Sequence, residues 1–308
     1  MDKDNNYKSL FYEALRIRLV EEKIIELYPS DLIQSPVHLS IGQEQVAVGV
    51  CSNLNEDDWV FINYRGHAFY LAKGGPMPEL FAELMGKKKG LSKGKAGSMH
   101  LASPKHGVIG ASAVVGSTIS HAVGAALMSK IHNKNNIYVT NFGDGALEQG
   151  VLHESLNFAA LYNVPVLFLC EDNNLAVHSP KYERQAFSID NLIESYGIPY
   201  YSIEEGYDPI LVKNNSKKAI DYVRNSRKPA FLKIQTARYK EHVGPGEDFT
   251  AGYRSQEEIN KWKNLDPLIN DKETYDEFYD QISDEINAAV DFGINSPLPD
   301  KEDLLSDV

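Results

Sequence analysis

The sequence predicts an α/β fold whose mostly parallel sheet is covered by helices on both faces. Two apolar runs, 137–142 and 164–170, flank a helical pattern over 148–162, which is the order of a strand–helix–strand unit. Such a unit has parallel strands and a right-handed crossover. Both runs are almost continuously apolar, as expected of strands that are buried on two faces. After Gly246 the chain becomes polar and helical, so we expect a helical C-terminal extension.

The other elements follow from periodicity and composition. Apolar residues recur at helical spacing from Tyr7 to Tyr28, which predicts an amphipathic opening helix. The same reasoning predicts further helices and strands: helices near 66–74, 77–85, 116–130 and 208–226, and strands over 58–63, 200–203 and 230–235. Residues 86–98 are rich in Gly and Lys and predict an irregular loop. We expect one domain over residues 1–265 and a helical extension with an acidic tail over 266–308.

Composition argues against several classes of function. The net charge of −12 disfavours a nucleic-acid-binding surface, because that surface needs a basic stripe. The two cysteines, Cys51 and Cys170, lie in apolar stretches, so we expect neither a disulfide framework nor a thiolate zinc site. No apolar run approaches ~18 residues, and the first residues lack an apolar signal segment. We therefore expect a cytoplasmic protein without a membrane span.

The residues best suited to bind a ligand follow the first strand of the central unit. Gly143-Asp144-Gly145-Ala146 comes directly after that strand, and Asn173 follows the second. The carboxyl ends of parallel strands meet at one edge of a sheet, so Asp144 and Asn173 should be neighbours there. Their carboxylate and amide oxygens are ligands that suit Mg²⁺. Gly143 and Gly145 let the backbone approach a diphosphate, and a helix beginning near Ala146 directs free N–H groups at it.

A lone GDG triplet is usually a turn. Here Gly143-Asp144-Gly145 and Asn173-Asn174 (GDG and NN) stand at the ends of two consecutive strands, which is a far more specific pattern. This pair resembles the thiamine-diphosphate motif. Four further segments are similar, in order and spacing, to the alpha subunits of the 2-oxo acid dehydrogenases: HLSIGQEQ at 38–45, NYRGH at 63–67, GKAGSMH at 94–100 and GVIGA at 107–111. The resemblance to the pyruvate, branched-chain and acetoin types covers essentially the whole chain. It implies that residues 1–265 form a thiamine-diphosphate-binding fold.

The resemblance also implies which residues bind the cofactor. Three would bind Mg²⁺: Asp144, Asn173 and the backbone carbonyl of Leu175. The diphosphate would be held by the backbone of Gly143, Gly145 and Ala146 and by the side chains of Tyr64 and Arg65. The backbone of Ile109 would touch the aminopyrimidine ring. The alternative for Arg65 is an ordinary surface charge.

Two histidines would face the reacting centre. The resemblance implies this position for His38 and His242, where an imidazole can donate to a carboxylate or an oxyanion. The alternative for each is a structural histidine whose hydrogen bonds are satisfied within the fold. Val243 stands where mitochondrial alpha subunits have a regulatory serine, which excludes kinase control at this position. The EHVGPGEDF stretch at 241–249 is expected at the entrance to the site, so the identity of the 2-oxo acid stays open.

The resemblance implies an oxidoreductase that decarboxylates a 2-oxo acid and is built from two different subunits. In this family the glutamate that activates the cofactor belongs to a beta subunit, so we expect a heterotetramer of two alpha and two beta chains (α₂β₂). The acyl acceptor would be a lipoyl group on an acyltransferase, or the product would be joined to an aldehyde. Two alternatives are the N-terminal half of a split transketolase-like carboligase and a non-catalytic subunit that keeps the fold.

Overall fold

The computed structural model describes residues 3–306 and has a six-stranded parallel sheet at its centre. The strands, in chain order, are β1 Trp59–Asn63, β2 Val108–Ser112, β3 Tyr138–Gly143, β4 Val166–Asp172, β5 Leu175–Ala176, β6 Ser179–Pro180, β7 Tyr200–Ile203 and β8 Ala230–Gln235. The order across the central sheet is β2-β1-β3-β4-β8-β7, and every neighbouring pair is parallel. Strands β5 and β6 form a separate antiparallel hairpin. The predicted parallel α/β sheet is confirmed.

Helices surround this sheet. Their bounds are α1 Lys3–Leu27, α2 Glu44–Cys51, α3 His67–Ala72, α4 Met77–Leu84, α5 Ser117–Ile131, α6 Gly150–Tyr162, α7 Ile189–Ser195, α8 Pro209–Ser226, α9 Gln256–Lys263, α10 Pro267–Asn270 and α11 Lys272–Asn295. Within residues 3–306, no helix combines the length and the apolar composition needed to cross a membrane.

The burial of β4 explains why its sequence is continuously apolar. Leu167 and Leu169 belong to one apolar cluster, whereas Phe168 and Cys170 belong to a second. Successive residues of a strand point to opposite faces, so the two clusters cover the two faces of the sheet. Each fully buried Leu or Phe side chain contributes about 1.5–3 kcal/mol to folding. Helices on both faces are therefore required by the sequence of the central strands.

The C-terminal helices pack onto the same core. Helix α11 packs against α4 and α1, and its Ile282 and Ile286 are buried in the larger cluster. Gly293 allows the close approach, because a Cβ atom there would lie 2.9 Å from the sulfur of Met85. Before α10, the carboxylate of Asp266 accepts a hydrogen bond of 2.9 Å from buried Arg18.

The loop over 86–98 is irregular, as predicted, yet it is held by one buried side chain. Glu83, at the end of α4, is fully buried. Its carboxylate accepts four backbone N–H bonds, from Ser92 (2.7 Å), Gly94 (3.0 Å), Ala96 (2.7 Å) and Gly97 (3.1 Å). An ionised carboxylate offers about four lone-pair sites. The loop therefore has a fixed path without any helix or strand.

Strand β2 is the one element of the central sheet that the sequence analysis did not predict. It lies at the edge of the sheet; β1 is its one partner strand among the described residues, and Val108 also forms an isolated bridge with Ser103. Of its five residues, only Val108 is buried. An edge strand with a single buried residue gives no apolar run and no alternation, so its sequence resembles a loop.

Candidate active site

The functional residues lie where β3 and β4 end. These strands pair in parallel, with Phe142 opposite Cys170 and Gly143 opposite Glu171. This register brings the segment beginning at Asp144 beside the segment beginning at Asn173, although the two are far apart in sequence. The arrangement is general for parallel sheets, in which ligand sites form outside the carboxyl ends of the strands.

A cavity of about 250 Å³ opens at this edge. Eight of the residues singled out from the sequence line it: Tyr64, Arg65, Gly143, Gly145, Ala146, Asn173, Leu175 and His242. Asp144 is fully buried between two of these lining residues. His38 and Ile109 are not part of the lining. His38 instead packs against Tyr64 and His242, and Ile109 is partly buried in β2 against the smaller apolar cluster.

Asp144 has one occupied and one free carboxylate oxygen. Its Oδ2 forms an ion pair with Arg184, while its Oδ1 is buried and has no hydrogen-bond partner among the described residues. Burial raises the pKa of this carboxyl to about 6, and the nearby Asp172 carboxylate adds to the rise, whereas Arg184 opposes it. A buried polar atom without a partner is costly, so this oxygen fits a site that a divalent cation completes.

Asn173 is oriented by its neighbours. Its Nδ2 donates to Oε1 of Gln43 at 3.1 Å, and its Oδ1 accepts the backbone N–H of Leu175 at 3.1 Å. An amide oxygen has two lone pairs, so one remains for a ligand. Asn174, which lies between Asn173 and Leu175, has a φ of 67°. This left-handed conformation is one that Asn tolerates, and it lets the chain reverse. In the hairpin, Leu175 pairs with Pro180, which has no N–H to donate to the Leu175 carbonyl.

The two glycines of the GDG segment differ in how much space surrounds them. A Cβ at Gly145 would lie 2.8 Å from the Cβ of Ala176, so no larger residue fits against the β5–β6 hairpin. A Cβ at Gly143 would meet nothing closer than the Glu171 carbonyl at 4.0 Å. Packing within the chain explains glycine only at Gly145, and the open space beside Gly143 belongs to the cavity lining.

The prediction that a helix begins near Ala146 is corrected by the structure. A 3₁₀ helix spans Asp144–Glu148, and α6 begins only at Gly150. Gln149 separates them because its backbone is extended, with φ −80° and ψ 130°. The N–H groups near the cavity therefore belong to a short 3₁₀ turn, and the helix dipole of α6 starts one residue beyond it.

A buried guanidinium lies in a second part of the lining. Arg65 is 6% exposed and donates to the backbone carbonyls of Leu39 (2.5 Å) and His242 (3.3 Å). Among the described residues it has no carboxylate partner. Burial lowers the pKa of Arg65 to about 10, and the charge of Arg238 adds to the effect. A buried cation whose only acceptors are carbonyls fits the binding of an anion.

Three rings form a cluster beside Arg65. The ring centroids of His38 and Tyr64 are 4.6 Å apart, those of His38 and His242 5.2 Å, and those of Tyr64 and His242 5.5 Å. Burial lowers the pKa of each histidine to about 3, and the charge of Arg65 contributes. Both imidazoles are therefore neutral near pH 7. The buried Nδ1 of His38 has no hydrogen-bond partner among residues 3–306.

The sequence analysis did not single out four residues that the structure brings to the site. Gln43, Glu171 and Arg238 line the cavity, and Arg184 contacts Asp144. Glu171 is buried and accepts hydrogen bonds from Asn141 (2.7 Å) and Gln43 (3.3 Å). Gln43, Glu171 and Arg238 stand within or beside segments already noted, so their proximity to motif residues was the available signal. Arg184 follows no motif and gave none.

Among residues 3–306, no group of three or more His, Cys, Asp or Glu side chains has the arrangement of a metal site. The residues predicted to bind a metal offer instead one carboxylate, one amide oxygen and one backbone carbonyl. Mg²⁺ typically takes only one or two protein carboxylates and completes its shell with phosphate and water.

Comparisons with known proteins agree with the sequence pattern. The family model described as "Dehydrogenase E1 component" matches residues 12–293. The alpha subunit of the acetoin:2,6-dichlorophenolindophenol oxidoreductase of Bacillus subtilis is 34% identical in an alignment of 310 positions that covers 97% of this chain and 92% of that protein. The pyruvate dehydrogenase E1 component alpha subunit of Rhizobium meliloti is 34% identical in an alignment of 319 positions that covers 99% of this chain and 90% of that protein.

A solved structure extends the comparison to the fold. The transketolase of Campylobacter jejuni superimposes with a TM-score of 0.59 at 17% identity, over 90% of this chain and 48% of the transketolase chain. This chain thus has the length of about half the transketolase, and the likeness concerns the fold alone. The extent of the family match and the identity to the curated relatives establish that the chain belongs to the dehydrogenase E1 component family. The resemblance to its alpha subunits is confirmed.

Proposed function

We propose that the chain is the alpha subunit of a thiamine-diphosphate-dependent enzyme that decarboxylates a 2-oxo acid, and that it binds the cofactor diphosphate together with Mg²⁺. One observation supports this most directly. The same cavity edge has a buried carboxylate oxygen without a partner, on Asp144, and a buried guanidinium without a carboxylate, on Arg65. A ligand that brings both a divalent cation and a polyanion satisfies the two groups at once.

The proposed ligand contacts use the residues already described. Mg²⁺ would be held by Asp144, Asn173 and the carbonyl of Leu175. The diphosphate would be held by the backbone of Gly143, Gly145 and Ala146, and by the side chains of Tyr64 and Arg65. Arg suits the second role because its planar fork can contact two phosphate oxygens. The Ile109 backbone would contact the aminopyrimidine; Ile109 does not line the cavity, and its place at the sheet edge is the weakest support in the set.

Bound thiamine diphosphate supplies the electron sink that decarboxylation of a 2-oxo acid needs. The protein's part is to orient the substrate and to handle protons near it. His38 and His242 enter this step as neutral imidazoles, because burial and Arg65 keep their pKa values at about 3. A neutral imidazole has one N–H to donate and one nitrogen to accept, so the pair can donate a hydrogen bond to a substrate carboxylate without adding charge.

The proposed assembly is a heterotetramer of two alpha and two beta chains in the cytoplasm. Its beta chain would supply the glutamate that activates the cofactor. The two glutamates that line the cavity already have partners within the chain: Glu171 accepts from Asn141 and Gln43, and Glu148 accepts from Arg184 and Gln185. The acceptor would be a lipoyl group on an acyltransferase or an aldehyde. We also propose residues 1–265 as the cofactor-binding domain and 266–308 as the helical extension.

The experiment that tests the proposal compares the purified chain with and without its beta partner. With thiamine diphosphate and Mg²⁺ present, we expect CO₂ release from pyruvate or another small 2-oxo acid only after the beta chain is added. Robust turnover by the alpha chain alone would contradict the two-chain proposal. Turnover of sugar phosphates by the pair would favour a split transketolase, and cofactor binding by neither preparation would favour a non-catalytic subunit.

A further inference from the structure

The segment after β4 places two positively charged side chains at the edge of the sheet. It forms the β5–β6 hairpin and then a short 3₁₀ helix over Lys181–Glu183. Lys181 forms an ion pair with Asp172, and Arg184 forms an ion pair with Asp144. Both carboxylates are fully buried. Buried ions of one sign are stable only when they are paired, so this segment holds the acidic edge in its present form.

Arg184 is itself fixed from several sides. Its Nη1 donates to Oε1 of Glu148 at 2.6 Å, and its Nε donates to the carbonyl of Ser179 at 3.1 Å. Gln185 donates to the same oxygen of Glu148 at 2.5 Å and to the backbone carbonyl of Asp144 at 3.1 Å. The side chain of Arg184 is only 12% exposed. The guanidinium is therefore a rigid fork that joins Asp144 to Glu148.

This fork makes the two oxygens of Asp144 unequal. Oδ2 is occupied by Arg184, and Oδ1 is buried without a partner. A carboxylate held in this way can offer a single oxygen to a metal. Mg²⁺ and cations of similar size take one oxygen per carboxylate in a tight octahedron, whereas Ca²⁺ often takes both oxygens of a carboxylate in a larger shell.

We propose that Arg184 is a positioning residue that presents Oδ1 of Asp144 to the divalent cation and restricts that carboxylate to one-oxygen coordination. The inference rests on the proposed function, since it needs a metal at Asp144. Arg184 does not touch the metal; it acts through Asp144. Removing it leaves the carboxylate free to rotate and to offer both oxygens, which weakens the binding of small cations and favours larger ones.

The test uses the full chain assembled with its beta chain, with thiamine diphosphate at a fixed concentration. Mn²⁺ serves as the probe, because its electron paramagnetic resonance signal reports both the bound fraction and the symmetry of the shell. Arg184→Gln should weaken Mn²⁺ binding about tenfold, the usual effect of losing a group that orients a metal ligand. The preference for Mn²⁺ over Ca²⁺, measured by competition, should fall in the same variant.

The matched control is Arg224→Gln. Arg224 also holds a fully buried carboxylate, that of Asp58, at 2.7 and 3.2 Å, but at the start of β1 and away from the cavity. This control should leave the affinity for Mn²⁺ and the Mn²⁺/Ca²⁺ preference as in the wild type. Arg184→Lys, which keeps the charge but not the fork, should fall between the wild type and Arg184→Gln.

Two results would overturn the inference. Unchanged affinity and preference in Arg184→Gln would mean that the fork does not act on the metal, and tighter Mn²⁺ binding would mean that Arg184 competes with it. If Arg184→Gln does not fold, the same readouts on Arg184→Lys decide in the same way. Asp144→Asn separates this inference from the proposed function. If that variant binds Mn²⁺ as the wild type does, the metal is not at Asp144 and the proposed metal site is wrong.

Discussion

Two regions beside the cavity differ in how their buried charges are paired: an acidic half at the ends of β3 and β4, and a basic half around Arg65. At the ends of β3 and β4, the buried carboxylates of Asp144 and Asp172 are each paired with a cation from the following segment. Around Arg65, the cation has only backbone acceptors, and two neighbouring histidines are kept neutral. In the acidic half, each of the two buried aspartates has an ion pair, whereas Arg65 has none among the described residues and feels the more distant charges of Glu21 and Glu171.

This difference indicates which half depends on the ligand. Desolvation of an unpaired cation is costly, and it is offset only when an anion arrives. The acidic half needs a ligand at one oxygen only, Oδ1 of Asp144. Without a cation, however, the diphosphate would face the buried carboxylates of the acidic half. We therefore expect the acidic half, through its cation, to determine whether the cofactor binds at all, and the basic half to determine how tightly its anion is held.

The largest expected effect breaks the acidic half. Asp144→Ala should weaken Mg²⁺-dependent binding of thiamine diphosphate by more than about a hundredfold, since even residues that only orient a ligand contribute about 10–100-fold. Isothermal calorimetry in the presence of the beta chain measures it. Circular dichroism should show a folded variant, and Glu204→Ala, an exposed carboxylate at the end of β7, should bind as the wild type does. Unchanged cofactor affinity in Asp144→Ala would remove the metal assignment.

A smaller effect is expected in the basic half. Arg65→Lys keeps the charge but loses the planar fork, and the loss of one charge-assisted hydrogen bond costs about 1.5 kcal/mol, or about tenfold in affinity. The dissociation constant for thiamine diphosphate, measured by calorimetry, should rise accordingly. Arg227→Lys is the control, because Arg227 also donates to backbone carbonyls, those of residues 134–136, which are not part of the cavity lining. Equal dissociation constants for Arg65→Lys and the wild type would exclude Arg65 as a phosphate ligand.

The last prediction concerns protons, and it is measured as folding stability and not as cofactor affinity. In the unfolded chain, His38 and His242 take up a proton near pH 6.5, but in the fold their pKa values are about 3. The unfolded state then binds more protons, so these residues make the protein less stable as the pH falls below about 6.5. We expect urea unfolding of the double variant His38→Gln, His242→Gln to lose less stability than the wild type between about pH 7.5 and 5. An identical loss would show that the two imidazoles are not held neutral.

The sequence predicted the buried strands more accurately than it predicted the contacts of the site. The run predicted as 137–142 forms β3 at Tyr138–Gly143, because a strand buried on both faces has a composition that few other structures allow. Edge strand β2 lacks that constraint and was not predicted. Arg184 was not predicted either, since its contact with Asp144 spans 40 positions and depends on how the hairpin folds back. Local patterns contain no information about such a contact.

The carboxylate of Glu83 has a consequence for the motion of the lysine-rich loop. Four amide hydrogens, on Ser92, Gly94, Ala96 and Gly97, share this one acceptor group. If Glu83 withdraws, all four lose their partner together. We therefore expect these four amides to exchange their hydrogens as one cooperative opening unit, with similar protection factors. A segment without regular secondary structure would then open in the all-or-none way of a small folded element.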